Sequence, residues 1–147
     1  MKITLDQGKV LAKAAHGRQV DQQARTYLDH HLAGVAARLV EHGEEAVMAG
    51  WLHDVLEDTV LTTDDLRTAG VPDVVVEAVV AVSKVEGQTY DELIDRAAAH
   101  PLGRLVKLAD NAQNLADNPV LAEVDPEKAA QLRAKYERAR ATLVTVG

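Results

Sequence analysis

The chain contains no cysteine. Disulfides and thiolate metal sites are therefore excluded, and any bound metal must be held by histidine and carboxylate. Phenylalanine is absent too, and aromatic residues are only 3% of the total. The core must then be assembled from Leu, Val and Ala, a composition that favours helices. No apolar run reaches the roughly 20 residues that a membrane-spanning helix needs. The start, Met1-Lys-Ile-Thr-Leu-Asp, lacks the charged-then-apolar order of a signal peptide. A soluble cytoplasmic protein without a membrane partner is the expectation. An excess of basic residues is also missing: the net charge of −7 argues against a nucleic-acid binder that works by phosphate neutralisation. A small anionic substrate stays open, because a metal and a few local cations can reverse the field inside a pocket.

The chain has 147 residues, and 47% of them are apolar. That fits one folded domain over 1–147, large enough for a core without covalent staples. Helical periodicity dominates. Helices are expected at about 5–15, 27–41 and 44–56, with Gly17 and Gly43 as stops and a polar loop over 20–25. A short helix ending at Gly70 follows Thr62 and Thr63. The Val-rich stretch 72–83 reads as helix over buried strand, because Glu77 and alanines interrupt strand-like alternation. Thr89 and Glu92 form a capping box for a helix to about 99. Pro101 opens another to about 115, and Asp125-Pro126-Glu127 opens the last, to about 143. The expected fold is one all-α domain of seven or eight helices.

The segment Trp51-Leu-His-Asp-Val-Leu-Glu-Asp-Thr59 concentrates polar groups inside an apolar helical pattern. His53 and Glu57 are four residues apart, as are Asp54 and Asp58, so on a continuous helix each pair stacks on nearly one face. Two other segments carry similar groups beside core positions: His30-His31, and Lys107-Leu-Ala-Asp110 with Asn114 one turn later. A buried carboxylate without a partner is costly. One metal bound by His30, His53, Asp54 and Asp110 would satisfy all four groups. Each group also has an ordinary explanation. His30 can be a satisfied polar residue, Asp110 can pair with Lys107, and Glu57 and Asp58 can close a helix.

These segments resemble those of the HD phosphohydrolase superfamily, in the order H…HD…D. The tighter resemblance is to the hydrolase domain of RelA/SpoT-type alarmone enzymes and their small single-domain relatives. Tyr27-Leu-Asp-His30 resembles that family's Tyr-x-x-His stretch, and the segment from Trp51 to Thr59 its HD-x-x-ED-T motif. Glu86-Gly-Gln-Thr-Tyr90 resembles its turn before a helix, and Val106-Lys-Leu-Ala-Asp110 with Asn114 its VKLAD-x-x-x-N stretch. The resemblance implies a single HD-type helical domain. It also implies one divalent ion, Mn²⁺, on His30, His53, Asp54 and Asp110, with Glu57 and Asp58 as the acid/base pair. Asn114 would touch the nucleotide sugar, and Lys84 and Tyr136 would contact phosphate and nucleotide. The implied activity is metal-dependent hydrolysis of the 3′-pyrophosphate of guanosine tetra- or pentaphosphate.

The departures concern substrate recognition. Val20-Asp21 stands where the family carries a basic pair, and Arg18 and Arg25 are the nearby candidates to replace it, neither at the matching place. His31 stands where the family has proline. It reads as a surface residue, with a rival ligand or a supporting group as the alternatives. No synthetase domain is expected. The alternatives to the alarmone reading are an HD hydrolase of another nucleotide or phosphorylated metabolite, and a metal- or nucleotide-binding module with little turnover.

Overall fold

Nine α-helical segments fold the described residues, 2–17 and 22–145 of a computed structural model. They are α1 (Leu5–Gly17), α2 (Gln22–Ala37), α3 (Glu44–Leu52), α4 (Val55–Asp58), α5 (Thr63–Thr68), α6 (Asp73–Val82), α7 (Tyr90–Ala99), α8 (Pro101–Val124) and α9 (Pro126–Thr145). A 3-10 turn, Val40–His42, joins α2 to α3. No strand occurs among the described residues, and no helix there is long and apolar enough to cross a membrane. Arg18, Val20 and Asp21 lie outside the described residues.

Local chemistry sets most helix starts. Thr62 and Asp65 cap α5 reciprocally at 2.9 and 3.2 Å, and Thr89 and Glu92 cap α7 at 2.9 and 3.1 Å. Thr4 and Gln7 do the same for α1. Pro101 opens α8 behind His100, whose Nδ1 accepts from the Gly103 N–H at 2.9 Å.

Helix α8 is the axis, with α2, α3, α6, α7 and α9 packed around it. The fully buried side chains are Leu and Val with Ile94, as a chain without phenylalanine requires. Trp51 is buried in α3, with Lys9 and Lys13 of α1 over its ring at 4.9 and 5.7 Å.

Three elements differ from expectation. Gln22 to Arg25, expected as loop, already belong to α2. Helix α8 does not stop near residue 115 but continues through Pro119 to Val124. An interior proline costs about 3 kcal/mol, and packing against α9 offsets it. The side-chain amides of Asn111 and Asn118 donate to the carbonyls of Tyr136 and Ala129 at 2.8 and 2.9 Å, tying the two helices along their length. The expected helix 44–56 is interrupted: α3 ends at Leu52, and His53 and Asp54 form a turn before α4. Asp54 keeps right-handed backbone but with ψ −1, which unwinds the helix at the paired polar residues. Splitting this one helix adds a short segment, α4, to the expected all-α arrangement.

Gly50 permits the close approach of α3 to α2. A β-carbon there would lie 2.8 Å from Leu39 Cδ1 and 3.3 Å from the Ala36 backbone. Gly50→Val is expected to destabilise the protein by about 2 kcal/mol through overpacking. Urea unfolding midpoints measure this, and an unchanged midpoint would contradict the packing of α3 on α2.

Candidate active site

Three elements converge on one buried cluster. Helix α2 brings His31, the α3–α4 turn brings His53 and Asp54, and α8 brings Asp110. His31 Nε2 lies 2.9 Å from Asp110 Oδ1 and 3.9 Å from Asp54 Oδ2. His53 Nε2 lies 3.3 Å from Asp54 Oδ2 and 3.6 Å from Asp110 Oδ1. His31, His53 and Asp110 are 6%, 2% and 6% exposed, while Asp54 is only partly buried.

The orientation of His53 is set from behind. Its Nδ1–H donates to the Gly50 carbonyl at 2.7 Å, which aims Nε2 into the cluster. There Nε2 is buried and makes no well-formed hydrogen bond. A buried polar atom without a partner calls for an explanation. Two imidazoles, each with the Asp54 and Asp110 carboxylates 2.9–3.9 Å away, provide one. Donors about 2.1 Å from a common ion span such distances, and ligand atoms of His31, His53 and Asp54 all lie within 4.8 Å of one another. The residues fit a divalent cation of borderline or hard character.

Charge balance points the same way. Burial works against a charged His53 ring, but the Asp54 and Asp110 carboxylates outweigh it and hold its pKa up to about 9. Burial alone would raise Asp110. The Lys107 ammonium, 3.0 Å from its Oδ2, and the two histidines instead hold it well below the usual carboxylate range. Asn114 Nδ2 donates to the other oxygen, Oδ1, at 3.3 Å.

Glu57 and Asp58 follow one turn after the cluster. Burial pushes both carboxyls above their ordinary range, and the Asp54 charge adds to each rise. The Lys84 backbone N–H donates to Glu57 Oε1 and opposes the rise there. Lys84 itself is exposed and lines a cavity beside Glu57. Tyr136 is partly buried on α9 and accepts from Asn111 through its carbonyl.

His30, expected as a ligand, is not in the cluster. Its side chain is 61% exposed and its Nε2 sits 3.2 Å from Asp117 Oδ1. His31, expected at the surface, occupies the place instead. The reason is helical phase. The buried stripe of α2 is Leu32, Val35, Ala36 and Leu39. At 3.6 residues per turn, His30 falls about 160° from that stripe and His31 only about 100°. The apolar spacing of α2 carries this signal, and the Tyr-x-x-His stretch does not. Sequence reasoning also gave no role to His16, buried in the last turn of α1 with no partner for its Nε2 among the described residues. Burial lowers its pKa against the nearby Asp54 and Asp58 charges.

His31→Ala is expected to weaken Mn²⁺ binding by more than about 100-fold, the upper end for loss of a merely supporting partner. His30→Ala should leave binding within about threefold of the parent, since its ring points away. Calorimetric titration of the metal-stripped protein measures both. The reverse order would overturn the assignment of His31.

No family model matches the chain. The chain is 33% identical over 129 residues to a guanosine-3′,5′-bis(diphosphate) 3′-pyrophosphohydrolase of Aquifex aeolicus, covering 82% of this chain and 18% of that protein. It is 30% identical over 131 residues to a GTP pyrophosphokinase of Streptomyces coelicolor, covering 82% of this chain and 15% of that protein. The chain thus spans less than a fifth of the length of the curated relatives it matches. Among solved structures, a metazoan ortholog of SpoT, described as hydrolysing ppGpp, superposes with a TM-score of 0.66 at 25% identity. That match covers 97% of this chain and 92% of the other. In sequence and in fold, this chain resembles the HD-type hydrolase domain of RelA/SpoT-type alarmone enzymes.

Proposed function

We propose that the chain is a metal-dependent phosphohydrolase that removes the 3′-pyrophosphate of guanosine tetra- or pentaphosphate. The observation that carries this reading is the convergence of His31, His53, Asp54 and Asp110 into one buried cluster, with Glu57 and Asp58 one turn away. His31, His53, Asp54 and Asp110 hold the divalent ion, and Mn²⁺ suits their mixed imidazole and carboxylate set. When bound, that ion supplies a Lewis acid that makes water a competent nucleophile near neutral pH and offsets phosphoryl charge.

The remaining work falls to the chain. An oxygen from water forms a bond to the phosphorus on the ribose 3′-oxygen, and the bond from that phosphorus to the 3′-oxygen breaks. Diphosphate leaves and the 3′-oxygen takes up a proton. Glu57 and Asp58 take the proton that water gives up and return one to the ribose. Their raised pKa values suit this, because each carboxylate binds a proton more readily than a fully solvated one does. The Lys84 N–H fixes one Glu57 oxygen and so orients the carboxylate. Lys107 and Asn114 hold Asp110 in place from both of its oxygens. Asn114, Lys84 and Tyr136 are proposed contacts for the nucleotide.

A second substrate has one specific observation in its favour. Val20-Asp21 replaces the basic pair expected for guanosine phosphates, which leaves another phosphorylated nucleotide as the alternative. Purified protein with Mn²⁺ is expected to release diphosphate from guanosine tetraphosphate. Turnover of simple nucleoside monophosphates with none of the tetraphosphate would overturn the reading. Glu57→Gln should keep metal content and lose about 100-fold or more in kcat; an unchanged kcat would remove Glu57 from the chemistry.

A further inference from the structure

Beside Glu57 lies a cavity of about 280 Å³ whose wall is cationic. Lys84 from the loop after α6, Lys107 from α8 and Lys135 from α9 all line it, with Gln88 and Tyr90 between them. Glu57 is the one carboxylate among the described residues of that wall. In a chain of net charge −7, three lysines from three elements facing one small space mark an anion site.

Two of these cations are uncommitted. Lys107 is partly buried and shares its charge with Asp110 at 3.0 Å. Lys84 and Lys135 form no ion pair among the described residues. Lys135 is instead positioned by an aromatic ring: its Nζ stands 4.0 Å over the centroid of Tyr90, while Lys107 Nζ is 6.0 Å from the same ring. A ring face orients an ammonium without consuming its N–H donors. Lys135 therefore arrives at the cavity ordered and with donors to spare. The Tyr90 hydroxyl stays protonated, because burial pushes its pKa up, and a neutral phenol is a further donor.

The cavity adjoins the reacting centre. Glu57 forms part of its wall, and Lys107 reaches from that wall to the Asp110 carboxylate of the metal cluster. A phosphorus held at the cluster puts whatever is attached to it next to these lysines. At about 30 Å³ per water, the space equals roughly nine waters, enough for a phosphoryl group.

We infer that Lys135, oriented by Tyr90 and joined by Lys84 and Lys107, receives the terminal phosphate of a 3′-diphosphate and makes the enzyme prefer a 3′-diphosphate to a 3′-monophosphate. This rests on the phosphohydrolase reading above. The terminal phosphate stays attached to the phosphorus under attack, so cations around it also offset the charge on that diphosphate as the 3′-oxygen departs.

The test uses the full chain loaded with Mn²⁺ and two substrates, guanosine 5′-diphosphate bearing either a 3′-diphosphate or a 3′-monophosphate. Lys135 is exposed, so Lys135→Ala should fold, and its melting temperature checks this. The ratio of kcat/KM for the diphosphate over the monophosphate should fall by about 10-fold in Lys135→Ala, as for loss of one charge-assisted hydrogen bond. Lys135→Arg, which keeps a cation over the ring, should restore the ratio to within about threefold. An unchanged ratio in Lys135→Ala would overturn the inference. If the parent protein turns over neither substrate, the phosphohydrolase reading fails, and binding of inorganic diphosphate still decides the pocket. About 10-fold weaker binding in Lys135→Ala by calorimetry upholds the anion site, and equal binding overturns it.

Discussion

The buried carboxylate of Asp110 is the constraint from which the rest follows. A charge removed from water costs several kcal/mol unless it is compensated, and every neighbour of Asp110 serves that end. Lys107 covers one oxygen from the same helix, and His31 and Asn114 cover the other. His53 then stands against the same group from the α3–α4 turn. For these side chains to meet, α2 and α3 must both lie against α8. The glycine contact between α2 and α3 and the asparagine ties between α8 and α9 hold the helices around that axis.

The interruption of the helix at His53 and Asp54 has a similar logic. In a continuous helix, Asp54 would stay one step around the axis from His53. The turn lets both side chains reach the same cluster, while the Asp58 N–H still bonds the Asp54 carbonyl at 3.0 Å. That retained turn keeps Glu57 and Asp58 close by. Partial burial raises their proton affinity, whereas Asp110, deeper and paired with Lys107, is held ionised. Neighbouring acids in one site are thereby separated into a group that holds charge and a pair that can exchange protons.

Much of this was legible in the sequence. The all-α fold, the capping boxes at Thr62 and Thr89, and the helical reading of the Val-rich α6 follow from spacing and short-range hydrogen bonding. Features set by tertiary contacts were not legible. Continuation of α8 past Pro119 depends on α9, and the break at His53 depends on the cluster it serves. His31 is a different case. The phase of Leu32, Val35 and Ala36 favours it over His30, whereas the Tyr-x-x-His resemblance points to His30. Lys135 carries no motif, and its nearness to Tyr90 exists only once α9 lies across α7 and α8.

Anomalous X-ray scattering from crystals of the Mn²⁺-loaded protein tests the central claim most directly. The account predicts one manganese peak, with His31 Nε2, His53 Nε2 and carboxylate oxygens of Asp54 and Asp110 each about 2.1–2.3 Å away. A peak on the His30–Asp117 pair, or none inside the cluster, would contradict it.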